Sequence, residues 1–92
     1  NEWTSPVGAN VSAIIYPNPN NGTMTLSYVL SENAEGIFEI YDIIGRVVSM
    51  HYLRPGENEL LISESGFAEG VYFYVIRSGK TSLTSGKLVI VK

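Results

Sequence analysis

Cysteine is absent from the 92 residues, which excludes disulfides, thiolate metal sites and a thiol nucleophile. Histidine occurs once, at His51, and aspartate once, at Asp42, so acid–base chemistry has few candidate groups. No apolar run approaches the ~18 residues of a membrane span. Basic residues are also scarce. Six Lys and Arg stand against nine Asp and Glu, for a net charge of −3. No basic stripe is available to neutralise phosphates, which argues against nucleic acid and leaves protein or polysaccharide as the expected partner class. Helical periodicity is missing throughout. What is present, 45% hydrophobic residues with six tyrosines spread along the chain, belongs to a folding sequence and suffices for one domain with one core.

Residues 1–11 mix small, polar and chain-breaking types without periodicity and read as a linker, with the folded domain expected over 12–92. The chain starts at Asn1 with no basic-then-apolar leader, so we expect a piece cut from a longer precursor, with Trp3 once contacting a preceding domain. From there on the hydrophobic period is two. Met24, Leu26, Tyr28 and Leu30 alternate with Thr23, Thr25 and Ser27, the pattern of a half-buried strand. Further strands are predicted at Ile37–Tyr41, Arg46–Tyr52, Glu59–Ser63, Val71–Ile76 and Leu83–Val91. Turn chemistry separates them at Asp42–Gly45, Arg54–Gly56 and Ser78–Lys80, and the irregular Glu64–Gly70 carries Phe67 as its apolar anchor. About seven short strands at this spacing predict an all-β, immunoglobulin-like antiparallel β-sandwich. Alternation assigns Met24, Leu26, Tyr28, Phe38, Ile40, Val48, Met50, Leu60, Ile62, Tyr72, Tyr74 and Ile76 to the core.

A search for chemistry finds none. His51, between Met50 and Tyr52, is expected to face solvent as an ordinary strand residue, with no nucleophile or orienting carboxylate in pattern. Glu57, Glu59 and Glu64 scatter around a strand end, and no D-x-D-x-D run exists, so neither a glycosidase pair nor a calcium loop is encoded. Asp42, three residues before Gly45, fits an Asx-type turn acceptor better than a metal ligand. Arg46 can pair with a nearby carboxylate. All glycines are expected between strands, where turns need φ > 0, and not in a phosphate loop. No catalytic, cofactor-binding or metal residue is predicted.

One segment stands out. In Tyr16-Pro17-Asn18-Pro19-Asn20-Asn21-Gly22 two prolines fix φ and remove two backbone donors, and Asn-Asn-Gly then reverses the chain. Its specificity comes from three downstream motifs: E-I-Y-D-I-I-G-R-V-V, then G-F-A-E-G-V-Y-F-Y-V-I-R-S-G-K, then G-K-L-V-I-V-K at the end. Each motif alone is weak. In this order, from about Ser12 to Lys92, the succession resembles the C-terminal sorting domain of the type IX (Por) secretion system of the Bacteroidota. Pro17, Asn18, Pro19 and Gly22 match the family's first motif, and Asp42, Gly45 and Arg46 the second. Gly70, Tyr72 and Gly79 match the third, and Lys87 and Lys92 the basic, apolar last strand. Phe67 stands where leucine is more frequent, and Ile44 is apolar at a loop position usually polar.

The resemblance implies a non-catalytic signal that directs an upstream cargo from the periplasm through the type IX outer-membrane translocon to the cell surface or medium. It also implies a sortase-like transpeptidase that removes the domain and attaches the cargo to the surface. The scissile region is expected between Thr4 and Ala13, where the chain reads as irregular. The last strand is expected at a sheet edge, with Lys87 to Lys92 offering free backbone to a receptor strand. The prolines of the first motif are expected to cap the first strand and to matter for folding more than for recognition. The competing class is an accessory glycan- or protein-binding sandwich of a secreted modular enzyme or adhesin, since fold alone does not separate the two.

Overall fold

A computed structural model describes residues 12–30, 35–54, 58–64, 66–78 and 81–92. Seven strands form: β1 (Ser12–Tyr16), β2 (Thr23–Val29), β3 (Gly36–Tyr41), β4 (Val47–Leu53), β5 (Glu59–Ser63), β6 (Gly70–Ser78) and β7 (Thr81–Ile90). They pair into a three-stranded sheet ordered β1-β2-β5 and a four-stranded sheet ordered β4-β3-β6-β7, with every ladder antiparallel. This is the expected sandwich. No helix is present among the described residues, and so none that is long and apolar enough to cross a membrane.

The alternation of β2 buries Met24, Leu26 and Tyr28 and leaves Thr23 exposed. Facing them, Phe38 and Ile40 of β3, Tyr72 and Ile76 of β6, and Leu88 and Ile90 of β7 close the core with Ile15, Leu53, Ile62 and Phe67. Each large side chain buried here contributes about 1.5–3 kcal/mol before conformational entropy is charged. Leu60 and Tyr74 are half-buried and pack against this cluster. The Tyr74 ring meets Phe38 at 5.7 Å and also covers the bare backbone of Gly86, where a Cβ would collide with it.

Two expectations about β4 are overturned. Val48 and Met50 point outward, Met50 at 51% exposure, while Ser49, His51 and Leu53 turn inward. The register explains it. Ile40 pairs with Ser49 but Tyr41 pairs with Val47, so Val48 is the extra residue of a β-bulge. Phe38 lies opposite His51, and because Phe38 is committed to the core, His51 follows it inward. Valines, Met50, Tyr52 and Leu53 occupy both parities of β4, so alternation alone could not set the phase. The glycine expectation also fails in part: Gly86 lies inside β7, and Gly36 and Gly70 open β3 and β6.

Candidate functional site

Register places the ends of β1, β3, β5 and β7 and the starts of β2, β4 and β6 at one pole of the sandwich. Nearly all of the motif residues collect there. Gly79 lies outside the described residues.

The first motif and the last strand meet directly. Asn18 donates from Nδ2 to the Lys87 carbonyl (2.9 Å) and accepts at Oδ1 from the Val89 N–H (3.1 Å). Its side chain imitates a peptide group on the edge of β7. Asn20 continues the pairing with its own backbone, donating to the Val89 carbonyl (3.1 Å) and accepting from the Val91 N–H (2.7 Å), a parallel bridge opposite Ile90. The Asn20 side chain, itself buried, holds the turn: Nδ2 donates to the Pro17 carbonyl (2.9 Å) and Oδ1 accepts from the Gly22 N–H (2.8 Å). Both X-Pro bonds are cis. Gly22 has φ +110°, and its carbonyl accepts from the Glu64 N–H (2.9 Å) where a Cβ would run into the Glu64 carbonyl.

This geometry corrects the expectation of a free terminal edge. The outward backbone groups at Lys87, Val89 and Val91 are already taken by Asn18 and Asn20. Upstream, a second register shift opposite Ile76 and Arg77 interrupts the β7 ladder near Leu83, a further guard against indiscriminate strand pairing. The prolines therefore do more than cap β1, since they bracket the asparagine that seals the opposite sheet.

The second motif is a closed turn. Asp42 Oδ1 accepts from the N–H groups of Ile44 (3.1 Å) and Arg46 (2.9 Å), and Oδ2 pairs with Arg46 Nε at 2.9 Å. The Arg46 amide bond, opposed in part by desolvation, together with the Arg46 side chain and the Ile44 amide, holds the Asp42 carboxyl below its usual range. Gly45 supplies φ +92°, and Ile43 and Ile44 project into solvent. In the third motif Gly70 has φ +151° and pairs with Ile90. The Tyr72 hydroxyl donates to the Ala68 carbonyl (2.8 Å) and its ring meets Phe67 at 5.2 Å, the arrangement of a tyrosine corner. Glu69 accepts from the Lys92 N–H (3.0 Å) and so ties down the end of the chain.

A Ser49–His51–Glu64 cluster, unseen in the sequence because it depends on the β4 phase, lies between the sheets. The Ser49 hydroxyl donates to Glu64 Oε2 (2.7 Å) and touches His51 Nε2 at 2.9 Å. A hydroxyl has one proton, so with Glu64 as its acceptor Nε2–H must be the donor to Ser49. A nucleophilic serine needs the reverse arrangement, with histidine accepting. The cluster is a polar tie between β4 and the segment after β5. Among the described residues no group of three or more His, Cys, Asp or Glu could hold a metal ion.

The architecture and its site define a class: a sandwich whose distinctive residues build turns and seal an edge, with no assembled reactive centre among the described residues. The family described as the secretion system C-terminal sorting domain matches residues 14–92, and the chain belongs to that family. It is a signal for type IX secretion, which directs export across the outer membrane to the cell surface or medium. No curated protein matches the chain.

Proposed function

We propose that the signal is the folded motif pole, read as a unit by the type IX translocon, and that the domain itself performs no catalysis. The observation that carries this is the junction of Asn18 with Lys87 and Val89, residues 69 and 71 positions apart that become one structural element. Because the last strand is held by the first turn, removing either one exposes the backbone of the other. The upstream cargo is covalently continuous with residues 1–11, which lie outside the described residues and serve as the linker. A sortase-like transpeptidase cuts within that linker and transfers the cargo to the cell surface. Ser12 and Ala13 already pair with Val29 and Tyr28 in β1, so within the expected scissile region the cut is assigned to 4–11, outside that ladder.

The test is a fluorescent reporter fused to residues 1–92 in a type IX-competent host, with localisation and mass mapping of the released product. Surface or medium fluorescence is expected, with a new terminus between Thr4 and Val11. Deleting Leu88–Lys92 or replacing Asn18 and Asn20 by alanine together should retain the reporter in the periplasm. Normal export of both variants, with their unfolding transitions recorded alongside, would refute the reading.

A further inference from the structure

The pole opposite the motifs carries a feature of its own. Register places the starts of β1, β3, β5 and β7 there, with the ends of β2, β4 and β6. A pocket of about 360 Å³ opens at this pole between β3, β4 and β6, with Ile37, Tyr52, Arg54 and Arg77 among its walls and Glu35 at its border. Tyr52 is 70% exposed, and Arg54 is exposed and outside any ion pair among the described residues. Arg77 is anchored by Glu39 Oε1 at 2.6 Å, which holds its side chain at the pocket wall. Tyrosine and arginine are the residues that concentrate binding energy at contacts. A tyrosine ring, an isoleucine and two guanidinium groups around one small cavity suit an aromatic ring, by stacking and by cation–π attraction.

What enters the domain at this pole chooses the occupant. β1 begins at Ser12, paired with Val29, so residues 1–11, outside the described residues, join the sandwich here. That segment holds the only tryptophan of the chain, Trp3, and no other aromatic residue. Trp3 stands nine positions before Ser12, and a chain extended at ~3.3 Å per residue covers about 30 Å over that interval. The way around the pole is shorter. It crosses ~10 Å between the sheets and then ~10 Å, two strand spacings, from β7, which β1 contacts, to β3. So short a tether keeps the ring at an effective concentration in about the millimolar range. A separate partner present at ~1 μM would need an affinity about a thousandfold higher to compete for the same pocket. Burying an aromatic side chain of this kind takes about 150–250 Å² from water, so the ring supplies the affinity. Glu2, the sole charged side chain of 1–11, can meet Arg54, but Glu35 borders the same pocket and an exposed pair adds little. The charge therefore orients the segment and does not hold it.

We propose that this pocket is the seat of Trp3: the linker of the chain docks on the pole where it enters, its indole against Ile37 and Tyr52 and beside Arg54 and Arg77. Sequence alone directs Trp3 to a preceding domain, and the pocket offers it a partner within its own chain. Both ends of 4–11 are then held by the sandwich, one by the pocket and the other by the β1 ladder. The expected scissile segment becomes a strap across one pole, while Asn18 and Asn20 seal the last strand at the other. This consequence for cleavage rests on the sorting function proposed above, and the docking itself does not.

Because Trp3 is the only tryptophan of the 92 residues, its fluorescence reads the docking in the unmodified chain. Its acrylamide quenching constant should be at least threefold lower in the native chain than in the chain unfolded in urea, at every protein concentration. Tyr52→Ala and Arg54→Glu, both at exposed positions, should raise native quenching at least twofold with the unfolding midpoint by circular dichroism unchanged. Leu61→Ala, at an exposed position on the other sheet, should leave it as it was. Nuclear Overhauser contacts from the indole to Ile37 and Tyr52 are expected in the unmodified chain, and decide the matter if a pocket variant lowers the midpoint. Their absence, or native quenching equal to that in urea, overturns the proposal. Shielding that both pocket variants leave intact overturns it too, as does shielding that vanishes on dilution and so marks a second copy. The reporter fusion tests the sorting function separately. Failure of export removes the consequence for cleavage and leaves the quenching to decide the docking, whereas normal export with an unshielded Trp3 removes the docking alone.

Discussion

Replacing Asn20 by alanine tests the central contact of the domain. Asn20 is buried, and its side chain satisfies the Pro17 carbonyl and the Gly22 N–H at 2.9 and 2.8 Å. Alanine leaves both backbone groups without a partner in a place water reaches poorly, at about 1–3 kcal/mol each, so the loss should be about 2–6 kcal/mol. For a domain of this size each kcal/mol lowers Tm by roughly 4–8 °C, so even the smallest loss in that range means a fall of roughly 8–16 °C. Asn18 makes as many bonds, but they are exposed and water can replace them, so Asn18→Ala should cost only about 0.5–1.5 kcal/mol. Urea unfolding followed by circular dichroism measures both, with an unchanged m-value showing that the unfolded states are comparable. Amide exchange separates the two roles. Asn18→Ala should deprotect the Val89 amide and spare Val91, whose acceptor is the Asn20 backbone. A cost for Asn20→Ala below about 1 kcal/mol, or below that of Asn18→Ala, would refute the reasoning.

Three further outcomes are expected. Gly22→Ala should destabilise far more than Gly45→Ala: both have positive φ, but a Cβ at Gly22 meets the Glu64 carbonyl and one at Gly45 meets nothing within 4 Å. Melting curves of the two variants decide this, and equal losses would count against the packing explanation. The β4 phase predicts that Leu53→Ala costs about 2–5 kcal/mol while Val48→Thr stays within about 0.5 kcal/mol; similar values for the two would mean the register is wrong. For Glu39, desolvation raises the carboxyl pKa, but the Tyr41 hydrogen bond and the Arg77 hydrogen bond and charge together outweigh it, and the net shift is downward. A depressed folded pKa means stability that is present above the ordinary glutamate range and lost as pH falls through the folded value. Stability measured from about pH 7 to about pH 2 should therefore fall less steeply in Glu39→Gln than in the unmodified chain, and parallel curves would remove Glu39 from the account.

Much of the strand order can be read along the chain, because a period of two broken by glycine, proline and asparagine has few other meanings. β5 is expected at Glu59–Ser63 and stands there, and β2 shows the predicted alternation. The Asp42 turn is also legible, since an Asx turn uses neighbours only. β4 is not. Its apolar residues fall on both parities, and the deciding facts are a bulge at Val48 and the commitment of Phe38, opposite His51, to the core. The Ser49–His51–Glu64 tie is hidden for the same reason, and the buried charge of Glu39 because a lone glutamate between Phe38 and Ile40 reads as a solvent-facing strand position.

By itself the sequence determined that this chain is a sandwich, that it carries little equipment for chemistry, and that its turn motifs keep the order of a sorting domain. Those properties depend on local rules: side-chain alternation, the φ of proline and glycine, and residue types that are simply absent. Only the tertiary structure decided that the first turn and the last strand are one object, because the bonds from Asn18 and Asn20 to Lys87, Val89 and Val91 join residues about seventy positions apart. It also decided the phase of β4, because that depends on register, and a shift of one residue turns every side chain of a strand to the other side.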